Sequence, residues 1–162
     1  MRIHIGSDHA GFELKQVILE LLSDMNFSVT DHGAQKLVQD DDYPDYVAPV
    51  AEAVSKDPES KGIVIGGSGQ GEAIVANKFP GIRCVVFNGQ YKPEDGRFVP
   101  EEIMLTRQHN DSNVLSLGAR FLSREEAQKA VRLWIQTPFS EDERHIRRIE
   151  KIKAIENKLW QK

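Results

Sequence analysis

The chain switches repeatedly between two periodicities, and that alternation restricts its fold more than any other feature. Short runs rich in β-branched residues, RIHIG (2–6), FSVTDHG (27–33), GIVIGG (62–67), IRCVVF (82–87) and NVLSLG (113–118), read as strands. Between them lie stretches with apolar residues at helical spacing. In GFELKQVILELLSDM these are Leu14, Val17, Ile18, Leu21 and Leu22. Over 44–55 they are Val47, Val50, Ala51 and Val54, with Pro49 a mild objection in the first turns. EAIVANK predicts a short helix stopped by FPG, and two further helices are expected over 123–137 and 141–160. Strands joined by helical crossovers form a parallel sheet covered on both faces. The expectation is a single α/β domain over residues 1–162, a doubly wound (Rossmann-like) three-layer α/β/α sandwich with a five-stranded parallel sheet.

A chain of 162 residues suffices for one such domain with a sizeable core. Its net charge of −4 argues against general nucleic-acid binding. No apolar run approaches the roughly 18 residues of a membrane span. MRIHIGSDHAGF lacks a long apolar export segment, and the single Cys84 excludes a disulfide within these residues. The expected setting is cytoplasmic, without membrane or nucleic-acid partners. Five scattered histidines lack metal-ligand spacing, so no metal site is expected.

In doubly wound sheets, ligands sit just beyond the carboxyl ends of the strands. Those ends supply Ser7, Asp8 and His9; Asp31 and His32; the Gly66–Gly71 loop; Asn88; and Gly118, Ala119 and Arg120. Gly66, four residues, then Gly71 is the spacing of a phosphate-cradling loop. That motif continues with Lys and Ser or Thr, whereas this chain has Glu72 and Ala73. Gly67, Gly69 and Gly71 alternate, so the dinucleotide pattern G-x-G-x-x-G is not met either. The backbone N–H groups of Ser68, Gly69, Gln70 and Gly71 open a helix and attract negative charge. The charge is a bound phosphate or an oxyanion formed during a reaction. The plainer reading is a tight turn, with Glu72 complementing the helix dipole.

Three other features carry similar alternatives. Asp8–His9 suits proton transfer, or Asp8 merely caps a helix. His109 is expected in a polar loop, TRQHND, before the fifth strand; it titrates near neutrality or is simply solvated. Arg144 and Arg148, four residues apart, share a helix face and suit one phosphate, or belong to a salt-bridged surface. Cys84 lies in a β-branched run and reads as a packing residue.

Together, GSDHAGFELK, DYPDYV, GGSGQGEAIVANKFPGIRC, RQHNDSNVLSLGARF and ERHIRRIEKI resemble the ribose-5-phosphate isomerase type B family, which includes galactose-6-phosphate isomerase subunits. The resemblance runs from Ile3 to about Ile155. It implies an aldose–ketose isomerase of the pentose phosphate pathway, working through an enediolate without metal or organic cofactor. It also implies a homodimer, in some members a dimer of dimers, with active sites at the subunit interface. By position, Asp8 and His9 match the pair at the sugar, Tyr43 a tyrosine near substrate, and Gly67–Gly71 the anion-binding loop. His109 matches the histidine that opens the furanose ring, with Asn110 beside the sugar hydroxyls. Arg120, Arg144 and Arg148 match phosphate-binding arginines, some reaching across from the partner subunit.

Two departures stand out. Many members place a cysteine base at the position of Gly66, which this chain lacks; another branch uses a glutamate where Glu72 stands. Glu72 is therefore the expected base, with Ser68 and the loop N–H groups stabilising the oxyanion. A helix N-terminus lowers its basicity and closure over substrate raises it. Secondly, residues 88–106 form a longer segment than in compact members and bear on substrate range. Galactose 6-phosphate, allose 6-phosphate or a tetrose phosphate is the alternative substrate. A nucleotide- or flavin-binding module and a non-catalytic paralogue are the readings from other classes.

Overall fold

The computed structural model describes residues 1–160; residues 161 and 162, the last two of the expected domain, lie outside them. In order come β1 (Arg2–Ser7), α1 (Phe12–Asp24), β2 (Ser28–Asp31), α2 (Pro44–Lys56), β3 (Lys61–Gly66) and α3 (Gln70–Ala76). They are followed by β4 (Cys84–Phe87), α4 (Glu102–Asn110), β5 (Val114–Gly118), α5 (Arg124–Gln136) and α6 (Glu143–Trp160). The five strands form one sheet in the order β2-β1-β3-β5-β4, every neighbouring pair parallel. The α/β expectation holds. Ser7 pairs with Ile65 and Gly66 with Gly118, so β1, β3 and β5 end level along one edge. Strand order reverses between β1 and β3, which opens a crevice at their carboxyl ends.

Alternation within the central strands divides the core. Ile63, Ile65, Leu115 and Leu117 join Leu14, Ile18, Leu21 and Leu22 of α1 and Val131 and Trp134 of α5. Val64 and Val114 face the other way, against Val47, Val50, Ala51 and Val54 of α2. That burial carries α2 through Pro49, which lies inside the helix at the loss of one N–H donor.

Two inward helix positions hold cations where the apolar pattern calls for hydrocarbon. Lys15 of α1 is fully buried; its Nζ donates to Asp31 Oδ2 at 2.7 Å and to the Ala34 carbonyl at 2.8 Å. It pins the end of β2 to α1. Arg107 is the inward residue of α4, four positions after the buried Ile103. The expectation of a continuous polar loop through TRQHND is therefore corrected. Residues 88–101 carry no regular element, but Glu102–Asn110 is helical. With arginine facing inward, its apolar stripe is too thin to register as a period. Among the described residues no helix is long and apolar enough to cross a membrane.

Candidate active site

Asp8, His9, Ala10, Tyr43, Gly67, Ser68, Gly71, Glu72 and Arg120 line a cleft of about 240 Å³ where β1, β3 and β5 end. Each of the three strands delivers its residues through the turn that follows it. After β1, Asp8 Oδ1 accepts from the N–H groups of Ala10 and Gly11 at 3.0 and 3.3 Å. The capping reading of Asp8 is thus correct, and the same carboxylate also lines the cleft. After β3, Gly69 adopts φ 74°, a left-handed conformation that glycine tolerates, and its carbonyl accepts from Ser116 Oγ at 2.6 Å. Asn88, at the end of β4, donates from Nδ2 to the Ser68 carbonyl at 3.0 Å. After β5, Arg120 lays its guanidinium over Gly67, with Cζ 3.1 Å from where a Cβ would stand. Tyr43 covers Gly71 in the same way, its ring 2.7 Å from that glycine's absent Cβ.

Glu72 sits at the floor, 4 % exposed. Any Cβ on residue 66 would overlap its Oε1 and Cδ, so the carboxyl fills the space a side chain at position 66 would take. Burial raises its proton affinity above the ordinary carboxylate range. The Asp8 charge adds to this, while a backbone hydrogen bond opposes it. In the contest between helix terminus and enclosure, enclosure wins.

His9 has a partner that the sequence did not reveal. Its backbone N–H and ring Nδ1 both meet Asp41 Oδ1, at 2.8 and 2.7 Å. Asp8 Oδ2 lies 4.0 Å from the same nitrogen. The hydrogen bond to Asp41 raises the His9 proton affinity, against the effect of desolvation. The donor atoms of Asp8, His9 and Asp41 fall within 4.8 Å of one another. The Nδ1–Oδ1 separation is a hydrogen-bond distance, so the pair shares a proton.

His109, Asn110, Arg144 and Arg148 are not brought to this cleft. Asn110 ends α4 and Val114 begins β5, so His109 and Asn110 lie at the amino-terminal edge of the sheet. At about 3.3 Å per residue the length of β5 puts roughly 16 Å between the two edges. Arg107 and Arg83 hold that corner together. Arg107 Nη1 donates to Asp111 Oδ1 at 2.7 Å and to the Ser112 carbonyl at 2.6 Å. Arg83 Nε donates to the Asn110 carbonyl at 3.0 Å, and its Nη2 to Asp111 Oδ2 at 2.8 Å.

At this amino edge His109 stacks on His145 of α6, ring centroids 4.2 Å apart and planes 16° from parallel. Arg144 Nε donates to His145 Nε2 at 3.0 Å, while Arg148 is exposed on the same helix. Of the loop residues, Gln70 points to solvent and Gly69 is buried behind the turn. Cys84 is half-buried and packs against the α2 cluster; burial pushes its thiol far up, consistent with a packing role.

A family model described as Ribose/Galactose Isomerase matches residues 3–152. The chain belongs to this family. Ribose-5-phosphate isomerase B of Mycolicibacterium paratuberculosis is 41 % identical over 150 residues, 93 % of this chain and 88 % of that protein. The enzyme of the same name from Escherichia coli is 40 % identical over 157 residues, 97 % of each chain. The solved structure of Mycoplasma genitalium ribose-5-phosphate isomerase B with bound ribulose 5-phosphate superposes with TM-score 0.87 at 36 % identity, over 96 % of each chain. Gly66 leaves the space beside it to the Glu72 carboxyl.

Proposed function

We propose that this chain, as one sugar-phosphate isomerase domain, interconverts ribose 5-phosphate and ribulose 5-phosphate. The observation that carries the reading is the buried Glu72 carboxyl, basic for a glutamate, at the floor of a cleft holding Asp8, Ser68, Tyr43 and Arg120. Family membership and the relatives' names support the substrate.

The mechanism follows from these positions. Glu72 removes the proton from C2 of the open-chain aldose, and the electron pair moves to the carbonyl oxygen as an enediolate forms. Ser68 and the N–H groups of its loop stabilise that oxygen, a contribution of roughly 3–4 kcal/mol for a well-placed donor. The proton of the O2 hydroxyl passes to O1, and the protonated Glu72 returns its proton to C1, giving the ketose. Its raised proton affinity suits both steps, because the base must accept and release within one turnover. Arg120 takes the phosphate, whose binding holds C1 and C2 against the base.

Ring opening requires a second chain. His109, Asn110, Arg144 and Arg148 cannot reach their own cleft, so a two-fold partner's amino-edge cluster completes each site. Exposed Ile152, Ile155 and Leu159 along α6 supply an apolar row for that contact. A hexose phosphate is the second reading. A cavity of about 480 Å³ adjoins the cleft and shares His9 and Ala10 with it, which is room for a longer sugar.

The test is the rate of ribose 5-phosphate to ribulose 5-phosphate conversion, in EDTA, by wild type and Glu72→Gln. The expected result is an EDTA-resistant activity that falls about 100- to 10,000-fold in the variant, the range for loss of a general base. Equal activity in both proteins removes Glu72 from the role. Inactivity of wild type on this sugar with turnover of a hexose or tetrose phosphate moves the substrate and keeps the site.

A further inference from the structure

We propose that Asp41 is a positioning residue that fixes the His9 ring with Nδ1–H toward itself and Nε2 toward the cleft, making His9 a cation for the substrate's phosphate. The proposal rests on the sugar-phosphate reading of the cleft. Asp41 has no assigned part in the chemistry and lies 32 residues from its partner, on the connection between β2 and α2.

The geometry is specific in three respects. A single oxygen, Asp41 Oδ1, accepts from both the His9 backbone and its ring, at 2.8 and 2.7 Å. Two bonds from one residue to one acceptor fix the side-chain rotamer and decide which nitrogen carries the proton. No protein group among the described residues hydrogen-bonds His9 Nε2, while His9 lines both the Glu72 cleft and the adjoining cavity. The other oxygen, Asp41 Oδ2, is buried without a hydrogen-bond partner, so the carboxylate depends on His9 for its charge balance.

The surroundings decide the charge of the ring. Asp8 lies beside it at 4.0 Å, and Tyr46 of α2 lies near Asp41. Glu72 and Arg120 face it across the cleft, and Glu13 of α1 and Arg124 of α5 across the cavity. The contact with Asp41 outweighs the cost of desolvation, and the Asp8 charge adds to it: His9 holds its proton above the ordinary histidine range. A sugar phosphate carries between one and two negative charges near neutrality. Asp41 therefore keeps the cation in place at the pH where the phosphate is most highly charged.

The decisive experiment uses inorganic phosphate as the probe, titrated calorimetrically into wild type, Asp41→Asn, Asp41→Glu, His9→Asn and the Asp41→Asn/His9→Asn double variant. Asparagine keeps the shape and removes the charge. At about pH 8, Asp41→Asn should bind phosphate about tenfold more weakly, the scale of one charge-assisted hydrogen bond lost. At about pH 6, where an ordinary histidine is protonated, the gap should close. Asp41→Glu should recover most of the affinity, and Asp41→Asn should add nothing in the His9→Asn background. In turnover the same variant should raise KM far more than it lowers kcat.

Equal weakening at both pH values, no weakening, or a full additional loss without His9 overturns the proposal. Should Asp41→Asn fail to fold, the ring nitrogens of wild-type His9 can be read by NMR. Proton loss at the ordinary histidine pH, or a proton on Nε2 in the neutral ring, is then the overturning result. Failure of wild type to isomerise any sugar phosphate would sink the functional reading alone, because phosphate binding and the His9 titration are read independently of turnover.

Discussion

The two edges of the sheet carry the same kinds of residue by different means. At the carboxyl edge, positions are set by the absence of side chains: Gly66 makes room for Glu72, Gly67 for Arg120 and Gly71 for Tyr43. At the amino edge they are set by charge, with Arg83 and Arg107 converging on Asp111 and the carbonyls around it. The first arrangement makes a concave, partly apolar pocket in which a carboxyl becomes basic. The second gathers His109 on His145 with Arg144 beside it, outside that pocket. The proposed sharing of each site between two chains would unite the pocket with its base and this separate cluster with its cations.

A mixing experiment probes the pairing of the two edges most directly. Glu72→Gln and Arg148→Ala subunits, each inactive alone, should regain about a quarter of wild-type activity after random exchange, because half the dimers then hold one intact site of two. If the mixture stays inactive, the halves do not combine and sharing is wrong.

Gly66→Ala should come next in size. The added Cβ displaces the Glu72 carboxyl, and kcat should fall by about 100-fold, the cost of a misplaced catalytic group, with the fold retained by circular dichroism. Unchanged kcat would mean that the carboxyl need not sit where it does.

Arg107→Met tests the other edge. Losing charged hydrogen bonds to Asp111 and the Ser112 carbonyl should cost about 2–3 kcal/mol in urea unfolding. It should leave the cleft's affinity for phosphate intact. A smaller loss would show that Arg83 alone holds the corner.

The smallest effect is one of pH. The Glu72 proton affinity is raised in the folded state, so its favourable contribution to stability is complete below the ordinary glutamate pKa. That contribution is lost as pH rises through the folded value. Glu72→Gln should therefore melt higher than wild type at neutral pH and gain nothing in acid. The acid limb of wild-type kcat/KM should likewise sit above the ordinary carboxylate range, measured against a pH-independent control enzyme.

Much of this was legible beforehand, and unevenly. A strand followed by a turn and a helix is a local unit, so the residues at its carboxyl end can be read from spacing alone. Asp8, Ser68, Glu72 and Arg120 were found in that way, and they do meet. The sequence carries no helical period over α4 because its inward face is Arg107 rather than hydrocarbon, so His109 reads as a loop residue. Asp41 gave no signal among three consecutive aspartates, since nothing local distinguishes the one that reaches His9.

The sequence by itself determined the alternation of elements, the parallel sheet and the list of groups at the strand ends, because periodicity and turn chemistry act over a few residues. Only the tertiary structure decided which groups share an edge, whether the Glu72 carboxyl is basic, and which acid holds His9. Those outcomes depend on burial and on contacts between residues tens of positions apart, and the fold alone brings such residues within reach of one another.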